Sequence, residues 1–451
     1  MTTTYSIIKK SELEGALRLD PEYYQPEYLK ARILLLKSNP VLLKDVASIT
    51  TGPAYSSEEI SGELDIPLAR IGDVVSKIEV DNWLKLSKKE FNKFHDRKIR
   101  DNDIILSMTG DPPDVGKCNL ITIKNNEILA FNQRVAKLTS KISPYYLFAY
   151  LSTEIARLQT ERNALGIRQR NLGINDLKST LVFIPETKKQ EFISNLIKNY
   201  ILELENSKSV YSQAENLLLE ELGLKDFDEK AGLWSIVNLS ETKKVNRIDA
   251  DYFQPKYQKI MSLIRANGGI ALGDIATVKK GFEPGAEAYQ EEGKLFIRVS
   301  SISKDGITDK DQKYLKDELY KKLEKDYQPK VGEILLTKDA SPGMAFVIKE
   351  NIEGLISGGV LRIKLKEDIE SEYLALVINS IIGQLQVERD AGGSIIMHWK
   401  PDQVKEMQIP ILSKSTQQKI SELVQKSHES RKKAKELLEE AKHKVEELIE
   451  K

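Results

Sequence analysis

Cysteine occurs once in the 451 residues, at Cys118, so the chain has no partner thiol for an internal disulfide and no paired thiolates for a zinc site. Histidine is nearly as scarce. His95, His398, His428 and His443 show no zincin spacing around a glutamate. No apolar run approaches the roughly 20 residues that span a bilayer. The opening stretch Met1 to Lys10 has no apolar core of signal-peptide length, so a cytoplasmic protein is expected. With 25 glycines and 15 prolines the chain lacks the bias of a collagen-like or disordered polymer. It also lacks an excess of either charge: Lys+Arg and Asp+Glu both total 68. A protein that only clamped phosphates would be basic. Balance leaves room for local basic patches and for surfaces that meet other proteins.

What the chain has is an internal repeat, and repeats decide architecture. Tyr5-Ser6-Ile7-Ile8 returns as Trp234-Ser235-Ile236-Val237. Arg18-Leu19-Asp20-Pro21-Glu22-Tyr23-Tyr24-Gln25-Pro26-Glu27-Tyr28 returns as Arg247-Ile248-Asp249-Ala250-Asp251-Tyr252-Phe253-Gln254-Pro255-Lys256-Tyr257. The same offset pairs Leu43 to Ala47 with Leu272 to Ala276, and Gly52 with Gly281. With small drifts, Asp103 to Ser107 matches Glu333 to Thr337, Ile184-Pro185 matches Ile409-Pro410, and Gln190 matches Gln417. Each half carries short apolar runs that read as strands (Ile104–Met108, Leu120–Ile123 and Val135–Leu138; Ile334–Thr337 and Val360–Leu365). Helical stretches follow around Tyr145–Arg162 and Glu372–Arg389.

Each half then ends in a long helix. The first is predicted to begin after Pro185 and stop near Leu222 at Gly223. Its heptad seam is Ile193, Ile197, Tyr200, Leu204, Ser207, Tyr211, Ala214 and Leu218, interrupted at Ser207. The second carries Ile420, Val424, Ser427, Arg431, Ala434, Leu438, Ala441, Val445 and Leu448, interrupted at Ser427 and Arg431. Seams in matching register favour packing of helix on helix over two separate amphipathic helices. The expected segments are 1–186, a helix over 187–223, 224–411, and a helix over 412–451.

This plan resembles the specificity subunits of type I restriction–modification systems, over nearly the whole chain. The resemblance rests on the two related halves, the Asp-x-x-Tyr-Tyr-Gln-Pro-x-Tyr opening, and the Ile-Pro followed by Gln and Ile at the start of each helix. It implies an α+β protein of two tandem repeats, each a mixed α/β target recognition domain followed by a long helix, with the two helices forming an antiparallel coiled coil. It implies recognition of a bipartite, asymmetric site on double-stranded DNA. It implies two modification subunits as partners, carrying adenine methylation and S-adenosylmethionine. Restriction subunits would add ATP-driven translocation and magnesium-dependent cleavage. No membrane enters, and the chain itself is expected to hold no cofactor, metal or catalytic residue. The competing readings are a fused or atypical DNA methyltransferase or nuclease, and a protein-interaction scaffold without DNA binding.

Phosphate and base contacts call for Lys, Arg and amide or hydroxyl side chains on loops. The densest candidate in the first half is Arg168-Gln169-Arg170-Asn171; its counterpart in the second is the stretch holding Ser394, His398 and Lys400. Thr50-Thr51 before Gly52 matches Lys279-Lys280 before Gly281, and Arg70 matches Arg298. Two catalytic look-alikes fail on inspection. Asp111-Pro112-Pro113-Asp114 lacks the aromatic of an amino-methyltransferase motif, and Gly110 to Cys118 has the wrong length and no Ser/Thr for a P-loop.

Overall fold

The computed structural model describes residues 6–9, 18–61, 64–75, 80–123, 127–166, 169–227, 234–308, 312–392 and 396–451. Two compact units divide the chain: residues 1–203 with 433–451, and residues 204–432.

The first unit is built on a four-stranded antiparallel sheet in the order Ala47–Thr51, Val135–Ser140, Ile104–Ser107, Cys118–Leu120. Its central strands carry the apolar runs seen in the sequence, and Ile104, Ile105 and Leu106 are fully buried. A second sheet contains Ile66–Ala69 paired in parallel with Ala130–Phe131. The helical stretch after the sheet is two helices, Pro144–Leu151 and Glu154–Asn163. They part where the Thr153 hydroxyl turns back to accept from the Ala156 N–H and caps the second one.

The second unit repeats this order: Ala276–Lys280, Val360–Leu365, Ile334–Thr337, Ala345–Val347, all antiparallel. Again a neighbouring sheet supplies one parallel pair, Lys294–Ile297 with Gly354–Ile356. Its helices, Ser371–Asn379 and Ile381–Asp390, part at Ser380, whose hydroxyl caps the second.

The repeated motifs have repeated physics. The Ser6 and Ser235 hydroxyls each donate to a backbone carbonyl, of Tyr24 and Phe253, both at 2.5 Å. Arg18 pairs with Asp20 and lies 4.4 Å over the Tyr23 ring; Arg247 pairs with Asp249 and lies 4.6 Å over Tyr252. Pro26 and Pro255 then open helices Pro26–Lys37 and Pro255–Ala266, where a missing N–H costs nothing. Even side-chain bridges recur. Gln159 both accepts from and donates to the backbone of Leu181, as Gln386 does with Gln408.

The two long helices span Thr187–Glu221 and Lys414–Glu450. The first ends in a Schellman turn. Gly223 sits at φ +69, the Leu224 N–H reaches the Leu219 carbonyl at 2.7 Å, and Leu224 is buried. In the first unit, Ile193 and Ile197 share an apolar core with Leu438, Ala441, Val445 and Ile449, and Tyr200 and Leu448 pack half-buried against it. Lys433 pairs with Glu203 at 2.5 Å. In the second unit, Tyr211, Ala214 and Leu218 share a core with Ile420 and Val424, while Leu204 is half-buried. Asn206 donates to Ser430, and Ser207 meets Ser427. As the first-helix numbers rise, the second-helix numbers fall, so the segments in this unit run antiparallel. Ala434 is fully buried, whereas Arg431 turns away to Asp305 at 3.1 Å.

Candidate nucleic-acid interface

In the first unit, strand pairing gathers sequence-distant candidates around one turn, Asn132-Gln133-Arg134. Gly52 allows the approach from one side: a Cβ there would lie 2.0 Å from the Phe131 carbonyl oxygen. This brings exposed Thr50 and half-buried Thr51 beside the turn, and Arg97 donates to the Thr51 carbonyl at 3.1 Å. From a second side, the Asn132 N–H donates to the Ala69 carbonyl at 3.1 Å, which places Arg70 next to it. Arg70 is half-buried and lies 3.4 Å from the buried Asp73 carboxylate. From a third side, the Met108 N–H donates to the Arg134 carbonyl at 3.0 Å, and the Leu172 N–H to the Met108 carbonyl at 2.8 Å. That ladder fixes the short pair Thr109–Gly110 with Arg170–Asn171.

Gln169, just before the pair, and Asn171, within it, are exposed, and Asn171 accepts from the Thr109 hydroxyl at 3.0 Å. Arg170 is half-buried, and its guanidinium donates to the Glu161 carbonyl at 3.3 Å. Arg168 lies outside the described residues. The Asp111 to Asp114 stretch is a turn in which Lys117 pairs with Asp114 at 2.8 Å, leading into strand Cys118–Leu120.

The second unit makes the same gathering with different side chains. A Cβ on Gly281 would lie 2.2 Å from the Ser357 carbonyl oxygen, which sets exposed Lys279 and Lys280 beside the turn Ser357-Gly358-Gly359. Lys280 pairs with Glu283 at 3.2 Å. The Ser357 N–H donates to the Ile297 carbonyl at 2.9 Å and so brings in Arg298, which donates to the Ser300 hydroxyl. The Lys338 N–H donates to the Gly359 carbonyl, and the Trp399 N–H to the Lys338 carbonyl. Here Asp339–Ala340 pairs with Met397–His398. His398 is exposed and bonded through Nδ1 to Asp339 at 2.8 Å, while Lys338 pairs with the same carboxylate at 2.5 Å. Burial pushes the Asp339 pKa up, but Lys338 and His398 outweigh it and hold it below its ordinary value. Lys400 is exposed at the start of helix Pro401–Lys405. Ser394 lies outside the described residues.

Sequence inspection singled out neither Gln133 and Arg134 nor Lys338 and Asp339. Gln133 and Arg134 directly precede the central apolar run Val135–Leu138, and Lys338 and Asp339 directly follow the run Ile334–Thr337. Among the described residues, no group of three or more His, Cys, Asp or Glu could hold a metal ion, and no helix is long and apolar enough to cross a membrane.

A model of the type I restriction modification DNA specificity domain matches this chain twice, over residues 37–213 and 269–442. The chain belongs to the type I DNA specificity family. Each match carries one of the four-stranded sheets and one of the gathered turns, so both units are specificity domains. Among solved structures, the type I restriction–modification S subunit of M. genitalium is similar at 15% identity, covering 91% of this chain and 94% of that one with a TM-score of 0.40. The HsdS subunit of Thermoanaerobacter tengcongensis is similar at 14% identity, covering 91% and 96% with a TM-score of 0.29. The type IIG restriction endonuclease BpuSI is similar at 12% identity over 45% of this chain and 35% of its own, with a TM-score of 0.32. No curated protein matches the chain. The family assignment rests on the doubled domain match.

Proposed function

We propose that the chain reads a bipartite, asymmetric DNA site, one half-site per specificity domain, and that it catalyses nothing itself. Target recognition belongs to residues 1–186 and 224–411, and the helices over 187–223 and 412–451 set the spacing as an antiparallel coiled coil. The observation that carries the reading is one scaffold used twice with different chemistry at the same turn. A duplicated scaffold can address both halves of a duplex, as a symmetric dimer does. Divergent side chains then make the two half-sites differ.

In this reading Thr50, Thr51, Gln169 and Asn171 in one unit, and Lys279, Lys280, Arg298, His398 and Lys400 in the other, supply phosphate and base-edge contacts. Arg70 and Arg170 stand beside the same turn, each with a protein partner that holds its guanidinium. Two modification subunits bring S-adenosylmethionine and flip the adenine. Restriction subunits bring ATP and magnesium, and the complex works in the cytoplasm, where the DNA is.

Purification with the modification subunit of the source organism, followed by methylation mapping on random duplex DNA, tests the proposal. The expected result is a stable complex that methylates adenine within one split, asymmetric motif. S-adenosylmethionine bound by the isolated chain, or a complex that leaves DNA unmethylated, would contradict it.

A further inference from the structure

We infer that Arg134 reads a guanine in the half-site of the first unit, and that the second unit has no equivalent contact. The inference rests on the DNA-specificity reading and adds a base and a residue to it.

Arg134 stands where the candidate segments of its unit converge, and its backbone is held on both sides. Its N–H donates to the Asn132 side-chain oxygen at 3.1 Å, and its carbonyl accepts from Met108 at 3.0 Å. Its side chain is exposed, and no hydrogen bond or ion pair engages the guanidinium among the described residues. Arg70, by contrast, is ion-paired to Asp73, and the Arg170 guanidinium donates to the Glu161 carbonyl.

The second unit shows that the fold does not need this side chain. The Ser357-Gly358-Gly359 turn makes the same three backbone bonds, to Ile297, Val360 and Lys338, that Asn132-Gln133-Arg134 makes to Ala69, Val135 and Met108. Two glycines therefore suffice for the path. The space over them is already filled: a Cβ on Gly358 would come within 2.1 Å of Glu283 Oε1, and one on Gly359 within 2.8 Å of the Val299 Cγ2 methyl and 3.4 Å of Asp339 Oδ2. One scaffold presents an unengaged guanidinium, where the other has a glycine packed under Val299 and Asp339. A side chain that folding does not require, fixed at its base and exposed at its tip, suits recognition. A guanidinium fork matches the O6 and N7 acceptors of guanine in the major groove, whereas an ammonium matches them only as a point charge.

The test uses the full chain in the complex it forms in its source cell, and selection from a randomised duplex library. Arg134→Ala and Arg134→Lys are compared with the unaltered protein. Both substitutions sit on an exposed position whose counterpart is glycine, so folding is retained. The expected result is a loss of roughly tenfold or more in preference for guanine at one position of one half-site, with the other half-site unchanged. Arg134→Lys keeps overall affinity and loses the same preference. Uniform weakening on all sequences, with the salt dependence reduced by about one charge, would make Arg134 a phosphate contact and overturn the inference. So would an unchanged motif. If the unaltered complex selects no sequence, the DNA-specificity reading falls and this inference with it.

Discussion

Ser427 donates through its hydroxyl to the Ser207 carbonyl at 2.8 Å and lies 3.1 Å from the Ser207 hydroxyl. These are the two serines that interrupt the heptad seams in the sequence, and each is 1% exposed. The interruptions answer one another: the buried hydroxyls have each other and a carbonyl as partners. Replacing Ser427 with alanine should lower stability by about 1 kcal/mol, because it removes a buried hydrogen bond and leaves the Ser207 hydroxyl without that partner. The double alanine variant should be less destabilised than the two single losses added together. Denaturant unfolding of the four proteins measures this; strict additivity would mean the serines do not act as a pair.

A buried ion pair recurs at one position of both central sheets. Lys137 lies 3.9 Å from Asp103, and Arg362 lies 3.3 Å from Glu333. Each cation also donates to a loop carbonyl, of Lys98 at 2.8 Å and Gln328 at 2.6 Å. Glu333→Ala strands a buried guanidinium, and the expected loss is about 3 kcal/mol, read as a lower denaturant midpoint. A loss below about 1 kcal/mol would mean that the loop carbonyl alone satisfies Arg362.

His428 makes the second unit sensitive to acid. Burial, then the Lys349 ammonium, push its pKa down to about 4, and Lys349 stands 2.5 Å from Nδ1. Tyr211, Lys304, Glu372 and Arg431 surround it. The unfolded chain takes up this proton near pH 6.5 and the folded chain only near 4, so stability contributed by neutral His428 is lost as pH falls through that window. The shift corresponds to a loss of up to about 3 kcal/mol. Burial raises the Glu372 pKa, which acts in the opposite sense and offsets part of the loss. His428→Gln should remove the acid-side slope that the histidine causes. Equal slopes for the two proteins between pH 7 and 4 would contradict this account.

The repeat, the two helices and the glycine stop were legible because they are local or periodic. Gly52 and Gly281 could be paired from the sequence, and the structure supplies their reason, a backbone approach that admits no Cβ. The helical stretches after each sheet were legible as helix, yet Thr153 and Ser380 split each into two, since a capping hydroxyl competes with helix continuation. In the last turn of the second long helix, the buried residue is Ile449 and Leu448 is half-buried, because spacing by four from Ala441 and Val445 leads to Ile449. Gln133 and Arg134 were not legible. Their neighbours are set by pairing to residues at Ala69 and Met108, distant in sequence, and no short motif announces them.

In the proposed function, two readers are held apart by a helical ruler. Deleting one heptad from each long helix shortens a helix by about 10 Å, the length of roughly three base pairs. Methylation mapping of this variant in complex with its modification subunits should return both half-sites unchanged, with a different number of bases between them. Altered half-site sequences, or an unchanged spacer, would contradict the claim.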